Sequence, residues 1–108
     1  VKAGIEFSDQ VTNFSIVVTR NGRSDWSVIA RPNVSGPQKV RLTHINAAVL
    51  AHYFGGDGRW HLMRVADFPN DTKMQLGPMA CSPQREGFAA IFKSLHVTPP
   101  ISSPLHEE

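Results

Sequence analysis

Phe14-Ser-Ile-Val-Val-Thr-Arg20, Asn21-Gly22 and Arg23-Ser-Asp-Trp-Ser-Val-Ile-Ala30 follow one another without a break. The flanking runs are rich in β-branched and aromatic residues. The Asn-Gly pair tolerates the positive φ angles that a two-residue type I′ turn requires. The stretch therefore predicts a β-hairpin, and with it an antiparallel sheet as the frame of the fold. Pro32 to Pro37 reads as a loop, after which Lys39-Val-Arg-Leu-Thr43 alternates polar and apolar at the period of a half-buried strand.

The pattern echoes itself at an offset of 34 residues: Gly22 and Gly56, Trp26 and Trp60, Val28 and Leu62, Ile29 and Met63, then Lys39 and Lys73, Val40 and Met74, Leu42 and Leu76. A true repeat and the shared patterning of a β meander both account for it. Residues 44–54 admit two readings: Ala47-Ala-Val-Leu-Ala51 suits a buried helix after a Thr43 cap, while Gly55-Gly-Asp-Gly58 suits a hairpin turn, which favours a strand. Further on, Ser82 as cap, Pro83 at the first helical position, and Phe88, Ile91, Phe92 and Leu95 at i, i+3, i+4, i+7 predict a C-terminal amphipathic helix. Three prolines after Val97 predict a mobile tail.

These elements assemble into an α+β fold, an antiparallel meander of hairpins with one face covered by the C-terminal helix. Residues 1–96 form the single expected domain and residues 97–108 the Pro-rich tail. Strand parity places Trp26, Val28, Val40, Leu42, Trp60, Leu62, Met74 and Leu76 on the covered face. Arg31, Lys39, Arg41, Arg59, His61, Lys73 and Gln75 then share the free face, with Asp25 as the one acid of that parity. A cluster of cations on a solvated sheet points to an anionic partner, of which phosphate backbone is the commonest.

Length and composition bound the rest. The chain has 108 residues, 41% of them apolar, and one cysteine. That describes one domain and excludes a multi-domain enzyme. The longest apolar run, Ala47 to Ala51, is far too short to span a bilayer, so neither membrane segment nor signal peptide is expected. Residues 1–64 carry 8 basic and 4 acidic groups, while residues 65–108 carry 3 and 5, which makes the first part the basic one.

Other motifs are weaker. The histidines lack metal-ligand spacing, and neither a metal nor a cofactor is expected. Cys81 precedes the predicted helix start, where a dipole can lower a thiol pKa, and a cysteine hydrolase would pair it with a histidine such as His61; no nucleophile motif surrounds it. Glycines 55, 56 and 58 lack the Lys-Ser/Thr ending of a phosphate loop. Asn13-Phe-Ser, Asn33-Val-Ser and Asn70-Asp-Thr are glycosylation sequons, although loops are rich in these residues anyway.

Gly36-Pro-Gln-Lys-Val-Arg-Leu-Thr-His44, Gly58-Arg-Trp-His-Leu-Met-Arg64 and the order of elements over residues 13–95 resemble the coat proteins of single-stranded RNA bacteriophages. The resemblance implies a non-catalytic, self-assembling capsid protein: a homodimer with sheets joined edge to edge, built into a virus-like particle in the bacterial cytoplasm. It would hold single-stranded RNA against Arg31, Lys39, Arg41, Arg59, His61, Lys73 and Gln75, and would take no small-molecule substrate. The chain departs from that family in its short length and in carrying a proline-rich tail where a second helix is usual. Two alternatives use the same residues: a small adaptor or inhibitor that binds a protein through a free sheet edge, and a standalone single-stranded nucleic-acid binder, either of them cytoplasmic.

Overall fold

A computed structural model describes residues 1–8, 10–32, 36–70, 73–82, 86–87, 89–103 and 105. Six strands carry the fold: β1 (Lys2–Ser8), β2 (Val11–Arg20), β3 (Arg23–Ala30), β4 (Val40–Ile45), β5 (Ala48–Phe54) and β6 (Trp60–Asp67). They make two three-stranded antiparallel sheets in sequential order, β1-β2-β3 and β4-β5-β6. The β2–β3 hairpin is the one the sequence predicts, with Asn21 and Gly22 at φ 51° and 74° and Arg20 opposite Arg23.

The second sheet turns on a less legible hairpin. Asn46 and Ala47 both adopt positive φ, 53° and 59°, between the paired Ile45 and Ala48. Alanine is a poor residue for that conformation. It is held there from both sides: the Ala47 N–H donates to Asn70 Oδ1 at 3.0 Å, and the Phe68 N–H donates to the Ala47 carbonyl at 2.9 Å. Residues 48–54 are thus a strand. The apolar run from Ala48 to Ala51 follows from position, because β5 is the central strand and Val49 through Tyr53 are buried on both faces.

The sheets face each other across Phe14, Ile16 and Val18 of β2 and Val49, Ala51, Tyr53 and Ala66 of β5 and β6. Phe14 stacks on Tyr53 at 4.8 Å between ring centroids, 15° from parallel. Two ion pairs run from β6 to the first sheet: Arg64 to Asp25, with Ser27 accepting a second bond from Arg64 at 3.3 Å, and Arg20 to Asp67 at 3.1 Å. The Asp25 bond holds the Arg64 guanidinium above, and the Asp25 carboxyl below, its ordinary pKa.

This arrangement corrects the α+β expectation: the fold is all-β, with no helix among the described residues. Pro83 and Phe88 lie outside the described residues. Ser82 and the stripe of Ile91, Phe92 and Leu95 occupy irregular chain, with Ile91 86% exposed, and Gly87 between them sits at φ 79°. The stripe lacks a docking surface, since the sheet face it was to cover is occupied by the other sheet.

The expected core is corrected too. Trp26, opposite Val17, lies on the outer face of the first sheet and is 57% exposed, whereas Phe14 on the inner face is 1% exposed. Val28, Leu42, Leu62, Met74 and Leu76 are likewise exposed. On β2 one parity carries Phe14, Ile16 and Val18 and the other Asn13, Ser15, Val17 and Thr19, so the apolar parity of β2, and not the tryptophan of its neighbour, sets the inner face. The 34-residue echo matches β3 to β6, the third strand of each sheet, but fails beyond it, because Lys73, Met74 and Leu76 lie in no strand.

Truncation therefore has opposite costs at the two rings. Phe14→Ala is expected to lower unfolding free energy by about 3–5 kcal/mol through the cavity it leaves, and Trp26→Ala by less than about 1 kcal/mol. Urea denaturation of both variants measures this.

Candidate functional site

The register of β4, β5 and β6 sorts the basic residues onto different faces. Lys39 precedes β4 and Arg41 lies within it, opposite His52 of β5, which faces Leu62 of β6. On this outer face the Lys39 ammonium sits 4.7 Å from the centre of the Phe54 ring, and the Arg41 guanidinium 4.4 Å from that of Trp60. Arg41 and Trp60 stand on the two strands flanking β5, so their contact passes over the central strand beside the buried His52. Phe54 and Trp60 meet edge to face at 5.2 Å. Each such cation–ring contact contributes about 0.5–1 kcal/mol where solvent reaches it. The larger effect is orientation: a rigid aromatic floor fixes where two flexible cations present their charge.

Arg31 and His61 belong to the opposite, inward face. The Tyr53 ring stacks on Phe14 and, at 5.1 Å, on His61, and Arg31 lies 4.7 Å from its centre. His61 Nε2 meets both carboxylate oxygens of Asp57, at 2.9 and 2.8 Å. That bond is the main cause of an Asp57 pKa below the ordinary carboxylate range. Asp57 Oδ1 also accepts the Arg59 N–H at 3.1 Å, an Asx turn two residues long. The pair closes over Gly55, whose Gly58 N–H and Arg59 carbonyl contacts tie the β5–β6 turn. A Cβ on Gly55 would stand 2.6 Å from Asp57 Oδ1 and 2.7 Å from His61 Nε2, so only glycine fits beneath the clasp.

The single basic face expected from parity is thus divided. Lys39 and Arg41 share the outer face of the second sheet, Arg31 and His61 flank Tyr53 at its inner end, and Arg59 is exposed in the turn. Lys73 and Gln75 are exposed in irregular chain after β6. The parity error lies at β6: Trp60 pairs with Phe54, which puts it with Arg41 and leaves His61 on the other side. Sequence reading missed Tyr53, Phe54 and Asp57 altogether. Asp57 carried a signal, an aspartate inside a glycine turn with a histidine four residues on.

The remaining motifs place as follows. Cys81 is exposed in the segment after β6, while His61 is committed to Asp57 and Tyr53. The Asn13 side chain donates to the Val11 carbonyl at 3.2 Å, and the Asn70 side chain holds Ala47, so both sequon asparagines serve the fold. The Asn33 sequon lies outside the described residues.

With the geometry in view, comparison with known proteins is informative. The model of a family described as "Protein of unknown function (DUF1349)" matches residues 1–100. The chain belongs to the DUF1349 family. It is also 37% identical, over 108 residues, to "Regulation of enolase protein 1" of Saccharomyces cerevisiae. That alignment takes in 99% of this chain and 54% of the yeast protein, so the chain spans about half the length of the curated relative it matches. No solved structure matches it.

These findings overturn the coat-protein reading, and with it the capsid, the virion location, the RNA partner and the self-assembled shell. The stretches that carried the resemblance, Gly36–His44 and Gly58–Arg64, are each a turn followed by a strand. Any antiparallel meander supplies such stretches.

The clasp has a pH signature. Because the folded Asp57 pKa is lowered, the stability it contributes is complete above the ordinary carboxylate range and lost as pH falls through the lowered value. Asp57→Asn is expected to flatten the decline of thermal stability below about pH 4, and Gly55→Ala to do the same by prising the pair apart. Melting temperatures across the acid range measure both.

Proposed function

We propose that this chain is a non-catalytic regulatory module that works by binding a protein, and that its partner is an enolase. The observation that carries the proposal is the 37% identity, along 99% of the chain, to a yeast protein named for regulation of enolase. The arrangement of side chains supports binding over catalysis. The imidazole best placed to exchange protons, His61, is spent on holding its own turn through Asp57. Cationic side chains braced on rings give a surface of fixed charge, which suits selection of an acidic partner surface and fast encounter with it. Exposed Lys39 on the outer face and exposed Arg59 beside the turn are the residues assigned to that contact.

Purified chain and purified enolase test this directly. Saturable binding by interferometry that weakens as salt rises is expected, together with a change in enolase turnover at saturation. Lys39→Glu combined with Arg59→Glu is expected to weaken binding at least tenfold while leaving the circular dichroism spectrum unchanged. Absence of binding at about 100 μM, where an interaction would be worth less than about 5–6 kcal/mol, would refute the reading.

A further inference from the structure

Each sheet of this fold ends in two edge strands, β1 and β3 in the first, β4 and β6 in the second. Open edges invite pairing, and proteins blunt them with charges, bulges or prolines. β3 carries Arg23 and Asp25, and β1 carries Lys2 and Glu6. β6 carries Arg64 and Asp67, and its register shifts opposite Ala51 and His52. β4 differs. Its one residue charged at every pH, Arg41, is turned across the sheet onto Trp60.

The hydrogen-bond phase of β4 follows from one contact. The Phe54 N–H donates to the Lys39 carbonyl at 3.1 Å. In an antiparallel ladder bonded pairs alternate, so Arg41, Thr43 and Ile45 bond to β5. Val40, Leu42 and His44 then direct their N–H and C=O groups to the open edge. The side chains of these three residues lie on the inner face, since they pair with Tyr53, Ala51 and Val49. That face is incompletely covered where β4 approaches β1. Leu42 is 49% exposed, and so are Ile5 (52%) and Phe7 (60%), which share the inner face with Phe14 by their pairing in β1. Three half-exposed apolar side chains thus lie beside a backbone edge that no strand pairs with among the described residues.

We infer that β4 accepts an extended segment of the partner protein as a fourth strand, and that this segment alternates apolar and acidic residues. Alternation follows from the pleat. Side chains opposite Val40 and Leu42 fall on the inner face, against Leu42, Ile5 and Phe7. Those between them fall on the outer face, beside exposed Lys39. The carboxylates of the neighbouring strands are engaged elsewhere: Glu6 accepts from Ser15 at 3.2 Å, Asp67 pairs with Arg20, and Asp25 with Arg64. The outer side of β4 therefore presents the exposed Lys39 ammonium to an incoming strand. The inference rests on the reading that the chain acts by binding a protein.

A fluorescein-labelled ten-residue peptide of alternating Glu and Val is the probe, read by anisotropy. Saturable binding is expected, weakened at least tenfold by Leu42→Pro, which deletes an outward N–H and spares the β5 ladder. Val28→Pro, which deletes an outward N–H of the β3 edge, is expected to leave it unchanged. If Leu42→Pro fails to fold by circular dichroism, Leu42→Glu and Lys39→Glu take its place with the same expectation. Equal binding by the Leu42 and Val28 variants, or by a peptide with Lys in place of Glu, would overturn the inference. So would a concentration-dependent dimer in light scattering that Leu42→Pro abolishes, because the occupant would then be a second copy. Enolase binding measured in parallel separates the two proposals. Binding of enolase that ignores Leu42→Pro sinks the edge and leaves the regulatory reading. Edge-dependent peptide binding without enolase binding does the reverse.

Discussion

Phe14 stacked on Tyr53 is the contact on which the rest of this molecule depends. One ring comes from the first sheet and the other from the second, so the 4.8 Å stack fixes both the separation of the sheets and their alignment at that end. From Tyr53 the order propagates outward: His61 stacks on it, Asp57 clasps His61, and Gly55 leaves room for the clasp. Arg31 sits over the same ring from the loop after β3. An aromatic pair is worth about 0.5–1.5 kcal/mol beyond the area it buries, which is modest. Its importance is positional, because turn, loop and both sheets share one ring.

The second organising fact is that β5 is buried on both faces. Its inner side chains meet the first sheet. Its outer side is crossed by Arg41 on the way to Trp60. A charged side chain thereby serves as part of a roof, its aliphatic stem and the buried nitrogens of its guanidinium covering the central strand. The basic outer face is thus a product of packing around a central strand, and the functional reading of that face follows from the same contacts that stabilise the sheet. Regulation by protein binding fits such a surface: it offers fixed charge and an open backbone edge, with its histidine–carboxylate pair used to hold a turn.

Much of the strand content was legible locally. The Asn21-Gly22 turn, the alternation from Lys39 to Thr43, and the glycine turn before Trp60 are short-range signals, each decided by φ preference or side-chain period. β1 went unread although Ala3, Ile5 and Phe7 alternate with Lys2, Gly4, Glu6 and Ser8 at the period of a half-buried strand, which pairs with β2. The Ile45–Ala48 turn was missed because Ala47 takes an unfavourable φ that Asn70 and Phe68, more than twenty residues away, hold in place. The apolar spacing from Phe88 to Leu95 satisfies a helix on paper. A helix of that kind needs a surface to cover, and the facing sheets leave none.

By itself the sequence determined that the chain is built on antiparallel hairpins, where two of the turns fall, and that Lys39 and Arg41 share a face, since residues two apart on a strand always do. Only the tertiary structure decided which face is inside. β5 is apolar on both parities, and the Trp26 parity of β3 opposes the Phe14 parity of β2, so the choice depends on how one sheet meets the other across Phe14 and Tyr53. That same meeting moved Trp26 and Leu42 to the surface, divided the basic residues between two faces, and left β4 as the open edge. The physical reason is that period-two alternation fixes which residues lie together, while burial is a property of what lies opposite.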